Sequence, residues 1–398
     1  MQTNTKLRRG LLAGLAATAV AAVAFGATAP ANADPAGAPT YRTLAGVGSD
    51  TTQDLNNGLA SVVAIGGSLA LGSYDATGSA TIQTKSGGTV FNRPNGSGSG
   101  VTALKSAKDA TTLWGGQNLV DTDVQFARSS SAAAWTPSGA YSYIPLALDA
   151  VTYATASTTA VPNGIPLGTS TGQDSDSDGV LDLTLRNIYT RGATTTLENA
   201  SNVGFTVGAQ GSGANIIPFI PQAGSGTRSF WISQVGGSIG SIVSPTYTDG
   251  SGTHDVQEHD GSVTAAVTNA LVPFSIAQHI AQGNSATLAS NYGVTVTDRR
   301  NGAVLRSVGA VAPLASGVLN PAFPIARPVF TVVKYAELAT NTALAAVFQN
   351  DTALAYNATR PGSSNLVITD FGFGDLTGGV TIGGVTYNPG DTTSYRAN

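Results

Sequence analysis

Short β-branched and apolar runs alternate with amphipathic stretches along this 398-residue chain, a pattern that predicts an α/β fold. A long apolar run at 143–154 suits a sheet interior or a crossing between lobes, and a second apolar run returns near residue 325. Together they predict two lobes, the first built from both ends of the chain, with a cleft between them. The length agrees, leaving room for two domains of ordinary size, each with its own core.

Residues 1–33 read as a signal peptide. Lys6, Arg8 and Arg9 form a positive start, 11–29 is an Ala-rich apolar core, and Ala31-Asn32-Ala33 is a small-x-small cleavage site. The Arg8-Arg9 pair leaves a twin-arginine export route open. Lobe 1 is then expected to comprise 34–150 plus 326–398, and lobe 2 to comprise 151–325. Residues 41–47 read as a strand, and Leu55, Leu59, Val62 and Val63 fall at helical spacing. A short strand is expected at 123–127 and a helix at 183–189. An apolar run at 215–220 leads through a turn into a helix beginning at Thr227. Residues 263–282 read as one or two helices broken near Pro273. Strands are expected at 304–311 and 329–334, a helix at 336–348 and a terminal hairpin at 380–387. The Gly/Ser/Thr-rich stretches at 76–100, 155–175 and 245–262 read as loops or insertions.

Without the three signal cations, 16 Lys and Arg face 23 Asp and Glu, a formal charge of −7. That balance argues against a nucleic-acid partner and against docking on anionic lipid by charge. Any anion would have to be captured by local dipoles against the net field. The absence of cysteine excludes disulfides, thiol catalysis and a lipid anchor on a cysteine after the signal. A secreted, monomeric protein is expected.

Four hydroxyl-rich turns carry the functional reading. They are GVGSDTTQ at 46–53, RPNGSGSG at 93–100, Arg128-Ser129-Ser130-Ser131, and QAGSGTR at 222–228. A strand that ends in Gly-Ser-Gly-Thr and opens a helix presents unpaired N–H groups and hydroxyls at the helix's positive end, which holds an anion without a metal. Each turn singly has an ordinary explanation, because strand-to-helix turns favour Ser and Gly, and Asp50 with Gln53 resembles a capping box. Four at strand ends gather at one edge of an open sheet, and two facing lobes place them around one cleft.

In order, these turns resemble those of the periplasmic binding-protein type II fold, specifically the secreted phosphate-binding subunits of ABC importers. YIPLALDAVTYA, LTLRNIYT, NPAFPIARPVF and ITDFGFGDL are also similar to their counterparts, so the resemblance covers most of the chain after residue 33. It implies two lobes closing on a dehydrated oxyanion, phosphate or a similar ion, held by hydroxyls, backbone amides and an arginine. Carried over by position, it implies contacts from Ser49, Asp50, Ser97, Ser99, Ser129, Ser130, Ser225, Gly226 and Thr227, and delivery to ABC importer membrane subunits. Two positions depart from the family. Pro221 stands where an arginine is usual, and the third turn has serine where an aspartate usually accepts the proton of hydrogen phosphate. Arg128, Arg228 or Arg93 would have to supply the charge, and Asp50 the acceptor.

Three other constellations compete. Asp174, Asp176, Asp178 and Asp182 present oxygens at positions 1, 3, 5 and 9 of a calcium loop, with Gly179 at the sixth, but Leu185 occupies the twelfth. The alternatives are a structural calcium, the one cofactor the sequence allows, and a solvated acidic turn. Gly236-Gly237-Ser238-Ile239-Gly240 matches G-x-S-x-G, with Asp249 and His254 following in hydrolase order, but 230–235 reads as helix and not as the strand that a nucleophile elbow requires. His254, Asp255, Glu258, His259 and Asp260 form the densest ionisable group; the two histidines do not fall at helical metal-ligand spacing, and 258–260 would cap a helix from Val263. The reading is a solute-binding protein without a reaction. An extracellular calcium-stabilised structural or adhesion protein is the alternative, and a serine hydrolase at Ser238 the third.

Overall fold

The computed structural model describes residues 34–35 and 41–398. The expected signal peptide at 1–33, with its arginine pair, lies outside the described residues. Seven strands make the main path of a nine-stranded sheet: β1 (Leu44–Gly48), β2 (Leu71–Ser73), β3 (Phe126–Ser129), β4 (Tyr141–Thr155), β5 (Ile217–Pro218), β6 (Ala270–Ser275) and β7 (Ala326–Lys334). In space they run β5-β6-β4-β7-β3-β1-β2. β1 is parallel to β2 and β3, and β5 is parallel to β6, whereas β7 is antiparallel to both β3 and β4. The fold is α/β with a mixed sheet.

β4 organises the molecule. All fifteen of its residues are buried, which is why its sequence is a nearly continuous apolar run. Residues 141–150 pair with β7, and residues 151–154 pair with β6, so one strand carries the chain from one half of the sheet to the other. One core, including Val47, Leu104, Val124 and Phe330, belongs to the β1–β3 half. Another, including Phe219, Val272 and Phe274, belongs to the β5–β6 half. The largest contains Leu55, Leu146, Trp231 and Phe371 and draws on both. Five helices matter for the site: α1 (Gln53–Val62), α2 (Ser97–Lys108), α3 (Leu185–Thr190), α4 (Gly226–Gln234) and α5 (Ile276–Gly283). Among the described residues, no helix is long and apolar enough to cross a membrane.

The structure departs from several local expectations, among them the loops or insertions read at 76–100 and 245–262, which hold the antiparallel pairs Thr81–Gln83 with Val90–Asn92 and Thr246–Asp249 with Gly252–Asp255. The stretch read as broken helices is a short helix (Ser262–Ala266), then β6, then α5. β6 is buried throughout, and a continuously buried run has no period by which to tell strand from helix. Pro273 faces Tyr153 of β4, while β5 pairs only as far as Leu271, so its missing N–H faces no ladder partner there. The expected helix at 336–348 is split into a 3₁₀ turn (Tyr335–Ala339) and a helix (Thr342–Phe348), which restarts where Asn341 Oδ1 accepts the Leu344 N–H at 3.0 Å. The strand expected at 304–311 is limited to Val304–Leu305.

Candidate functional site

The hydroxyl-rich turns converge. β1 ends at Gly48 and delivers Ser49 and Thr51 ahead of α1; β3 ends at Ser129 and delivers Ser130. Ser97 opens α2, and Ser225 is the N-cap of α4, its hydroxyl accepting the Arg228 N–H at 2.9 Å. Ser49 Oγ donates to Ser130 Oγ at 3.1 Å, Thr51 Oγ1 lies 3.1 Å from the same oxygen, and Ser97 Oγ lies 3.3 Å from it. The Ser130 N–H donates to Ser97 Oγ at 2.9 Å. From the other half, Thr227 Oγ1 lies 3.3 Å from Thr51 Oγ1. Ser49, Thr51, Ser130 and Thr227 are all fully buried.

The two halves can approach this closely because of glycine. A side chain on Gly226 would collide with the hydroxyls of Ser97 and Ser130, and one on Gly96 would meet the Gly224 carbonyl. Gly98 N–H donates to that same carbonyl at 3.3 Å, tying α2 to the turn before α4. The N-termini of α2 and α4 therefore face each other across the hydroxyls, and their partial positive charge falls on one point.

Arg327 supplies the full positive charge. It stands opposite Asp149 in the register of β7 on β4, and its Nε and Nη2 donate to Asp149 Oδ2 at 3.0 and 2.8 Å. Nη1 donates to the Ser130 carbonyl at 2.8 Å, and Nη2 also reaches Thr227 Oγ1 at 3.0 Å. Asp149 Oδ1 accepts from the Ser275 hydroxyl at 2.8 Å and from the Ala277 N–H at 3.2 Å. The aspartate is thus satisfied on both oxygens, which makes burial of the pair tolerable. Phe230 of α4 lies over the guanidinium, 5.2 Å from ring centre to Cζ.

Glu258 and His259 close the cluster from the second half. Glu258 is fully buried; its Oε2 accepts from Thr51 Oγ1 at 3.1 Å and Thr227 Oγ1 at 3.2 Å. Its Oε1 is buried and has no hydrogen-bond partner among the described residues. Burial pushes this carboxyl up, but the His259 ring, the Ser225 hydroxyl and the Arg327 charge outweigh burial and hold it below the ordinary glutamate range. The Ser275 N–H donates to His259 Nδ1 at 3.2 Å, which assigns the ring proton to Nε2. That nitrogen then donates to Thr51 Oγ1 at 2.9 Å and faces Glu258 Oε2 at 3.2 Å. His259 has φ +54°, the left-handed backbone region that a side-chain-bearing residue rarely occupies.

Other residues singled out from the sequence lie elsewhere. Arg128 is buried, but its guanidinium donates to the carbonyls of Gly46, Gly48, Ser49 and Tyr74 and to Ser73 Oγ, so it braces the first turn from behind. Arg228 donates to the Pro221 carbonyl at 2.8 Å, and Arg93 to Asp34, Ser79 and the Asp75 carbonyl. Asp50 forms no capping box; both its oxygens accept from Arg299 Nη2 at 3.0 Å, while Gln53 Oε1 accepts from the Ala76 N–H. Ser129 turns its hydroxyl to the Ser131 carbonyl, and Ser99 is half-buried beside Gly224. The guanidinium that reaches the hydroxyl cluster is that of Arg327, and the carboxylate that accepts from it is that of Glu258. A lone Arg and a lone Asp inside two otherwise apolar strands are the sequence signal that would have found the buried pair.

Asp174, Asp176 and Asp178 bring carboxylate oxygens within 4.8 Å of one another. Asp182 turns to Gln173 Nε2 at 2.6 Å and to the Ser175 N–H and hydroxyl, both at 3.1 Å. Ser238 is exposed and follows the end of α4, with no strand before it as an elbow would need. His254 Nε2 faces Asp249 Oδ1 at 3.1 Å and Ser251 Oγ at 2.9 Å, so one nitrogen serves both groups and no relay through the ring exists.

No family model matches this chain, and no curated protein matches it. Solved structures do. The chain is similar to an ABC-type phosphate transport receptor from Vibrio cholerae, at 14% identity and TM-score 0.42, covering 83% of this chain and 99% of that one. It is similar to a human phosphate binding apolipoprotein, at 12% identity and TM-score 0.40, over 84% of this chain and 91% of the other. A phosphate binding protein from Stenotrophomonas maltophilia gives 15% identity and TM-score 0.35 over 84% and 91%.

Proposed function

We propose that this is a secreted solute-binding protein that encloses a small tetrahedral oxyanion carrying at least one proton, phosphate foremost, and delivers it for ABC-type import. The observation that carries this is the meeting of five hydroxyls, those of Ser49, Thr51, Ser97, Ser130 and Thr227, from four separate turns with Arg327 and a fully buried Glu258. Hydroxyls, helix N-termini and a guanidinium are donors to an anion. A carboxylate in their midst repels a fully ionised anion but accepts a hydrogen bond from a protonated one, and Glu258 Oε1 has that capacity unused. Sulfate, without a proton at neutral pH, is therefore disfavoured. The mechanism is parting of the two halves about β4 and β7 to admit the guest, then closure upon it, so that the hydroxyl–hydroxyl bonds of the empty cluster are replaced by bonds to the guest.

Binding, not turnover, fits the chemistry. The proton on His259 Nε2 points at Thr51, so the ring cannot take a proton from that hydroxyl, and no nucleophile–base pair arises there. The test is calorimetric titration of the protein with phosphate and with sulfate. One phosphate per chain is expected, with no sulfate heat at the same concentrations. Thr227→Val removes a hydrogen bond to a charged guest and should weaken phosphate by about 1.5–3 kcal/mol, roughly ten- to hundred-fold. Absence of phosphate binding at millimolar concentration would sink the proposal.

A further inference from the structure

We propose a second site, for calcium, in which the acidic turn Asp174, Asp176 and Asp178 is completed by Glu198 from a neighbouring strand. The three aspartate side chains each offer an oxygen within a 4.8 Å span. Ligands sharing one calcium at bond lengths of about 2.3–2.6 Å are separated by no more than about twice that. Ser177 and Gly179 have φ of +62° and +94°, and Asp174 accepts the N–H groups of both, at 2.8 and 3.1 Å, so the turn is wrapped around its own first carboxylate.

Glu198 is the observation that points to a ligand. It ends the strand Thr195–Glu198, directly opposite Asp182 in the pairing with Leu181–Asp182. Its side chain is 9% exposed, and Oε1 is buried without a hydrogen-bond partner among the described residues. The charged groups around its carboxyl are Asp178, Asp176 and Asp174, with Asp178 within hydrogen-bond reach. A buried acceptor without a donor, and three aspartates in one span with a fourth carboxyl beside Asp178, are both unfavourable, and one divalent cation relieves both. The donor set is oxygen alone and comes from a surface turn, which suits calcium's irregular coordination better than the strict octahedron of magnesium or the nitrogen and sulfur preference of zinc. The sequence pattern lacks a glutamate at the twelfth position because Leu185 opens α3 there and is fully buried; Glu198 takes that ligand's place from across the strand pair. Asp182 is spent on Gln173 and Ser175 and supports the turn.

The consequence is local order ahead of α3, whose Tyr189 packs edge-on against Trp231 of α4 at 5.4 Å. The test uses the full protein stripped with a chelator, then titrated with calcium chloride by calorimetry and followed by thermal unfolding. One ion per chain and a raised unfolding midpoint are expected. Glu198→Gln should weaken calcium at least about ten-fold, leave phosphate binding unchanged, and in chelator unfold at a higher temperature than the parent because the repulsion is relieved. No calcium heat and no midpoint shift at millimolar calcium would overturn the site. Equal calcium affinity in Glu198→Gln would overturn the role of the glutamate.

Discussion

On the proposed function, Glu258 decides which oxyanions the cluster accepts. Replacing it with glutamine keeps the shape but turns an obligate acceptor into a group that also donates. Glu258→Gln should therefore lose the preference for phosphate over sulfate, with sulfate binding appearing in competition titrations; a variant that still rejects sulfate would place the selectivity elsewhere. The same residue sets a pH dependence. Because its carboxyl is held below the ordinary value of 4.5, phosphate affinity should persist as pH falls through the usual glutamate range and decline only below it. Of this layer, Ser49, Ser97, Ser130 and Thr227 were legible from their turns. Glu258 and His259 were visible only as acids and histidines in a loop, since nothing local shows that the loop folds inward. Arg327 and Asp149 stand 178 positions apart, and only the β4–β7 register joins them.

At the scale of elements, the site is a meeting of helix N-termini, and Gly226 sets how near they come. Gly226→Ala puts a methyl against Ser97 and Ser130, while alanine suits a first helical turn at least as well as glycine. The variant should unfold at a lower temperature, because the added methyl overlaps the buried hydroxyls of Ser97 and Ser130, and should lose phosphate affinity by about two orders of magnitude, since the hydroxyls can no longer share one guest. Titration and thermal unfolding of the same sample check both halves of that expectation. The strand-to-helix turns were readable because Gly, Ser and Thr are demanded there by backbone geometry and capping. β6 was not, because burial on both faces erases the alternation that marks a strand, and Pro273 argued for a break.

Across the whole molecule, the halves are latched beside the site as well as through it. Arg299, from the chain segment before β7, grips Asp50 beside the first turn, and Gln278 of α5 donates to the Thr51 carbonyl at 2.8 Å. Beneath this latch, burial first and then the neighbouring Asp75 carboxylate push Asp54 up to about 7 from 3.8. Between those values the folded chain holds a proton that the unfolded chain has released, so stability falls as pH rises through the window, by up to about 1.4 kcal/mol per pH unit for one such group. Glu258 acts with the opposite sign below 4.5, its contribution being lost on further acidification. The unfolding midpoint should therefore be higher at about pH 5 than at about pH 8, and Asp54→Asn should flatten that slope. The α/β class and the crossing strand were readable from the alternation and from the apolar run at 143–154; the latch was not, because Asp50 and Arg299 are 249 positions apart in the sequence.

The central claim is tested most directly by a crystal structure grown with phosphate. It should show a single phosphate among Ser49, Thr51, Ser97, Ser130, Thr227 and Arg327, with one oxygen turned to Glu258 Oε1. Phosphate bound only at other surfaces, with these hydroxyls still bonded to one another, would contradict it.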